Sequence, residues 1–257
     1  MSGERLKLLG VVLRTIDYGE ADRIVALLTR ERGKVSVFAR GARSSRRRFG
    51  GALEPFTLLR LEARERRGGD LLALDSVAVE RGFGAIRTDL ARIACASYAC
   101  ELSRELVRDS EAHPELFALL VGYLGLLELS APRPAGLRAF ELGALSAAGL
   151  RPRLDACVRC GGALDPTARA LFHPEAGGVL CGRCGAGRGG EAPQLGPDAL
   201  AWLVQLQRGG LGSEADAPPG RAAAEAREAL SRFIEHHLGR RLASRRFLDE
   251  VGPMLGG

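Results

Sequence analysis

The stretch GKVSVFAR, residues 33–40, alternates apolar and polar side chains with a period of two. Val35 and Val37 therefore point to one side of a strand, and Lys34 and Ser36 to the other. Comparable segments surround it: LKLLGVVLRTIDY and DRIVALLTRE before it, PFTLLRLEARER and DLLALDSVAVE after it, each bounded by glycine or charged turns. Five such runs in succession, without a helical period among them, predict a small all-β unit. A five-stranded barrel of the OB type is the natural form, because closure removes the edges that so short a sheet leaves open.

Beyond Gly84 the pattern becomes helical. Ile86, Leu90, Ile93 and Ser97 share one face and Tyr98, Leu102 and Leu106 extend another, so a long helix buried on more than one side is expected. The stretches PELFALLVGYLGLLEL, PAGLRAFELGALSAAGL and GPDALAWLVQLQ predict further helices. Leu230, Phe233, Ile234, His237 and Leu238 keep amphipathic spacing near the carboxyl end. The expected fold is α+β in two domains. An OB-type β-barrel over residues 1–80 precedes a helical domain over residues 81–257, which carries a cysteine-rich insertion at about 154–190.

That insertion holds the most specific chemical signal. Cys157-x-x-Cys160 and Cys181-x-x-Cys184 stand 20 residues apart, near the spacing of four-cysteine zinc sites. Two intervening residues let each pair chelate one ion, and four thiolates complete a tetrahedron with no open position, so one structural zinc ion is expected. Iron is the chemical alternative, and glycine after each second cysteine favours a zinc ribbon. The Gly177-Gly178 pair divides Leu171-Phe172-His173 from Val179-Leu180 as a hairpin would, with His173 outside the ligand set. Cys95 and Cys100 read as buried core thiols.

The chain has 257 residues, 46% of them apolar and 26% charged, as in ordinary globular proteins, and no apolar run reaches the roughly 20 residues that span a bilayer. The amino terminus lacks the pattern of a secretory leader, so a cytoplasmic protein without membrane attachment is expected. A net charge of +6 favours a polyanionic partner. Of the 37 basic residues only Lys7 and Lys34 are lysines, a bias that GC-rich coding produces by itself, so clustering is more informative than abundance. Arg40, Arg43, Arg46, Arg47 and Arg48 form the densest cluster, directly after the strand that contains Lys34. Planar guanidiniums on a loop suit successive phosphates, and Phe38 and Phe49 flank the loop as either stacking or core side chains. A solvated arginine run is the plain alternative. Arg240, Arg241, Arg245 and Arg246 are a candidate second anion site, or the capping charges of a helix carboxyl end.

Three features together resemble the bacterial RecO family of DNA repair and recombination mediators. They are VVLRTIDYGEADRIVALLTRERGKVSVFARGARSSRRRFGGALEPF at residues 11–56, the paired cysteines with their hairpin, and HLGRRLASRRFL near the end. The resemblance implies an amino-terminal OB fold, a helical carboxyl-terminal domain and a zinc-binding insertion. It also implies binding of single- and double-stranded DNA, strand annealing, and action with RecR in loading RecA onto strands coated by single-stranded DNA-binding protein. No covalent chemistry is implied. The family's basic DNA-binding positions fall on Lys34, Arg40 and Arg43, with Arg46, Arg47 and Arg48 as extensions, and the acidic tail of the single-stranded DNA-binding protein is expected on the helical domain. Localisation would be cytoplasmic, on the nucleoid. Two rivals come from other classes: a metal-dependent nuclease, for which Asp17, Glu20 and Asp22 are the nearest acidic trio, and a zinc-ribbon transcriptional regulator.

Overall fold

The alternation of residues 33–40 becomes strand β3 (Gly33–Ala39), whose Val35, Val37 and Ala39 are buried while Lys34, Ser36 and Phe38 are half-buried. The structure is a computed structural model that describes residues 4–44, 49, 51–65, 71–187, 192–213, 216–218 and 220–251. With β1 (Arg5–Tyr18), β2 (Asp22–Thr29), β4 (Leu58–Arg64) and β5 (Leu71–Arg81), β3 closes a barrel in the order β1-β2-β3-β5-β4. Neighbours are antiparallel except β3 and β5, where Ser36–Phe38 runs parallel to Leu71–Ala73. This is the OB-like closed barrel that the five apolar runs predict.

A bulge in β1 decides what the barrel shows to solvent. Leu8 and Val12 face the core, and the register against β2 then shifts between Val12 and Arg14. One extra residue reverses the facing of everything after it. Thr15 lies opposite the core residue Val25, so Arg14, Ile16 and Tyr18 stand on the outer face. At the barrel's end Phe49 and Leu53 join the core, at 4% and 2% exposure, because the chain beyond the arginine loop folds back over the strands. Phe49 is thus a core side chain, and Phe38 lies on the outer face.

After a 3₁₀ turn at Gly84–Thr88 comes helix α1 (Leu90–Leu106). The Asp89 side chain caps it by accepting from the Arg92 amide at 2.8 Å, a contribution of about 1 kcal/mol. Ala91, Ala94, Cys95, Tyr98 and Leu102 bury one side and Ala96, Cys100 and Ser103 another, as expected; Leu90, by contrast, is 57% exposed, and Ile86 lies in the preceding turn. Burial pushes the Cys100 thiol up to about 12, which suits an inert core residue. Helix α1 touches β1, and α2 (Pro114–Leu129) touches β2. Helices begin after Arg81, where strand periodicity ends, while the first compact unit extends over Met1–Ser130.

The second unit, Ala131–Gly257, contains α3 (Pro134–Ala147), a small sheet, and three more helices. The sheet has β6 (Ala170–His173) between β7 (Gly178–Leu180) and β8 (Gln194–Leu195). The helices are α4 (Pro197–Gly209), α5 (Arg221–Leu238) and α6 (Ala243–Val251). Phe172 of β6 packs on Phe233 of α5 with ring centroids 5.5 Å apart, which seats the sheet on the helical core. No helix among the described residues is long and apolar enough to cross a membrane.

Candidate nucleic-acid interface and metal centre

The segment after β3 is pinned to the β1–β2 turn by its own backbone. The Gly41 amide donates to Asp22 Oδ1 at 2.7 Å, and the Arg43 amide to the Ala21 carbonyl at 2.9 Å. The Arg43 guanidinium reaches the Glu20 carbonyl at 3.1 Å and Asp17 at 3.6 Å. Arg23 occupies the other side of Asp17 at 3.0 Å and continues to Glu54 at 3.0 Å. Asp17 and Asp22, from the acidic trio, therefore organise this turn. Arg40 is exposed and, like Arg14 on β1, has no carboxylate or other polar partner among the described residues. Arg46, Arg47 and Arg48 lie outside the described residues.

Charge on the barrel is unevenly balanced. On the side formed by β1, β4 and β5, Arg60 pairs with Glu80 at 2.7 Å, Arg64 with Asp75 at 2.7 Å and Lys7 with Glu62 at 3.8 Å. The neighbouring carboxylates raise the pKa of both guanidiniums, and Arg60 in turn lowers that of Glu80. On the face with Arg14, Arg40 and Arg43, Arg43 alone of the three has a carboxylate partner among the described residues, Asp17. A polyanion meets less competition there.

Lys34 points elsewhere. Its Nζ donates to the Arg104 carbonyl at 3.1 Å and lies 3.3 Å from Asp109, so it ties β3 to the carboxyl end of α1. The carboxyl-terminal arginines are also largely engaged: Arg241 with Asp249 at 2.7 Å, Arg246 with Glu250 at 3.1 Å, and Arg245 with Asp249 at 3.1 Å. Arg245 is only 6% exposed and faces Glu141, itself paired with Arg138 at 3.1 Å. Arg240 is exposed.

The four cysteines converge. The Sγ atoms of Cys157, Cys160, Cys181 and Cys184 all lie within 4.8 Å of one another, a cluster able to hold one metal ion. The first pair sits on a tight turn closed by the Gly161 amide to the Cys157 carbonyl at 2.9 Å, with Gly161 at φ +70°. The second pair enters a helical turn, Gly182–Gly185, closed by the Gly185 amide to the Cys181 carbonyl at 2.8 Å. The β6–β7 hairpin joins them, and its Gly178 is required: a Cβ there would lie 2.2 Å from the Arg153 carbonyl oxygen.

Burial pushes the Cys157 thiol up, but amides of Cys181, Cys160 and Arg159 outweigh it and bring the group to about 6. The Gly162 amide lowers Cys160 as well. Burial and the adjoining thiols push Cys184 the other way, to about 12. Backbone dipoles favour thiolate at one corner while crowding opposes it at another, a conflict that a bound cation relieves. His173 stands outside the cluster, opposite Gly178.

Two family models span most of the chain. Recombination protein O N terminal matches residues 1–83, and Recombination protein O C terminal matches residues 87–246. The chain belongs to the RecO family. A DNA repair protein RecO from Anaeromyxobacter sp. (strain Fw109-5) is 65% identical over 253 residues, covering 98% of this chain and 99% of the relative. The RecO of Anaeromyxobacter dehalogenans (strain 2CP-C) is also 65% identical, covering 99% of this chain and 100% of the relative. That of Myxococcus xanthus (strain DK1622) is 50% identical over 94% of this chain and 96% of its own length. The boundary between the two RecO models falls at the end of β5, where barrel gives way to helices.

Proposed function

We propose that this RecO-family chain is a DNA repair protein that grips single- and double-stranded DNA on its barrel and anneals complementary strands. With RecR, it helps load RecA onto DNA coated by single-stranded DNA-binding protein. The charge asymmetry of the barrel supports the DNA-binding step most directly: Arg14 and Arg40 lack carboxylate partners among the described residues, whereas Arg60 and Arg64 are paired. Arg43, pinned at the β1–β2 turn, and Arg46, Arg47 and Arg48 extend the grip. Guanidiniums held at fixed positions bond phosphate oxygens and displace counterions, so two strands bound near one another repel less. No covalent step is needed and no nucleotide is consumed. The helical part of the chain receives the partner proteins, including the acidic tail of the single-stranded DNA-binding protein, and the complex works in the cytoplasm on the nucleoid.

The cysteine cluster fits one Zn²⁺. Sulfur atoms at the corners of a tetrahedron with Zn–S bonds of about 2.3 Å stand roughly 3.8 Å apart, and Cys160 and Cys181 lie 3.9 Å apart. Zinc would be held by Cys157, Cys160, Cys181 and Cys184 and would supply a cross-link, with all four positions filled. It braces the hairpin.

Annealing of two complementary oligonucleotides tests the whole reading. The purified protein should accelerate duplex formation without ATP, on bare strands and, together with RecR, on strands coated by single-stranded DNA-binding protein. A rate equal to the uncatalysed one on bare strands would contradict it.

A further inference from the structure

The outer face of an antiparallel sheet that meets water normally carries polar side chains. Here a row of apolar residues crosses three strands of the barrel instead. Ile16 of β1 lies opposite Ile24 of β2, which lies opposite Phe38 of β3. Tyr18 stands two residues beyond Ile16 on the same face and meets Phe38 edge-on, with centroids 5.8 Å apart and ring planes at 82°. Ile16 is 45% exposed and Tyr18 56%. Neighbouring strands are about 4.8 Å apart, so the row is roughly 10 Å wide, a width suited to one or two bases.

The surroundings specify the occupant. Arg14 precedes Ile16 by two residues on the outer face, and Arg40 follows Phe38 by two; both are exposed and without carboxylate partners among the described residues. On the Tyr18 side, the Arg43 guanidinium lies 3.4 Å from the carbonyl of Gly19, the next residue. Asp22, which lies opposite Tyr18, is spent on the Gly41 amide. An apolar, aromatic strip bordered by guanidiniums matches a strand whose bases stack while its phosphates run along the edges. A protein surface would need acids to match the same border.

We propose that Tyr18 and Phe38, with Ile16 beside them, form a base-stacking platform for single-stranded DNA, bordered by Arg14, Arg40 and Arg43. The platform rests on the DNA-binding reading above and adds to it a contact made by bases rather than phosphates. Stacking is tolerant of sequence because every base offers a π-face. The rings engage unpaired bases only, so a duplex on this face is held by the bordering guanidiniums alone.

The test compares two labelled oligonucleotides of equal phosphate count, an oligo-dT of about 12 nucleotides and the same backbone with abasic sites, by fluorescence anisotropy. Wild type should bind oligo-dT about tenfold more tightly than the abasic strand. The double variant Tyr18→Ala, Phe38→Ala should lose that preference while keeping the abasic affinity and its salt dependence. Tyr18→Phe, which retains a ring face, should keep the preference. Val79→Ala, at a similarly exposed apolar residue of β5, should behave as wild type. A double variant that retains the wild-type preference overturns the platform. Equal binding of both oligonucleotides by wild type also overturns it, but leaves phosphate-based DNA binding standing. Binding of neither removes the DNA reading and the platform together.

Discussion

Glu225 is a single side chain that fixes the cysteine-rich segment to the helical core. Its carboxylate accepts from the Gly196 amide at 2.7 Å, from Arg169 at 2.7 Å and from Arg221 at 2.8 Å. Burial pushes the carboxyl up, but that amide and both guanidiniums outweigh it, and the group rests below the ordinary carboxylate range. A carboxyl lowered in the folded state stabilises the protein above its unfolded-state pKa, and the contribution disappears as pH falls through the folded-state value. Glu225→Gln should therefore lower the melting temperature at pH 7, by the equivalent of about 1–3 kcal/mol. The two melting curves should converge as the pH falls below about 4. A gap that persists unchanged in acid would show that packing, not charge, is what the substitution removes. Residue roles were only partly legible in the sequence. The sequence left Phe38 and Phe49 as equivalent flanks of the arginine loop; closure of the barrel buries Phe49 at 4% exposure and leaves Phe38 outside. The carboxyl-terminal arginines show the same limit, because Glu141, which faces the buried Arg245, is far away in the chain.

At the scale of elements, legibility follows how local the determining physics is. The alternation in β3 and the pairing of cysteines with two residues between them depend on neighbours in the chain, and both appear in the structure as read. The bulge at Val12/Arg14 depends on pairing with β2, so no period-two reading of β1 could show that Arg14, Ile16 and Tyr18 change sides there. The three-stranded sheet rests on the helical core through Phe172, while its cysteine side buries only a small cluster of Cys157, Leu171 and Leu180. A metal cross-link would supply what that cluster lacks, since the binding energy of a structural zinc is folding energy, about 10 kcal/mol or more. Freshly purified, reduced protein should contain about one zinc per chain, and Cys184→Ser should bring it well below stoichiometry. A chelator should lower the melting temperature of wild type but not of the variant. Absence of stoichiometric zinc in the reduced wild-type protein would contradict this placement.

For the whole molecule, a net charge of +6 states only that polyanions are favoured, and arginine abundance adds little. The distribution of partners makes the distinction. Lysine and arginine side chains on the β1-β4-β5 side of the barrel are matched by Glu62, Asp75 and Glu80, and Lys34 is drawn to the end of α1. Arg40, just after β3, has no carboxylate partner among the described residues, and Arg43 beside it is held at the β1–β2 turn by Asp17 and the Glu20 carbonyl. The most direct measurement is the affinity for a single-stranded oligonucleotide as a function of salt, for wild type and for Arg40→Ala, Arg43→Ala. Each phosphate contact on a single strand contributes about −0.7 to the log–log slope. Loss of two contacts should weaken binding and make the slope shallower by about 1.4. Affinity and slope equal to wild type in the folded variant would place the DNA elsewhere on the molecule.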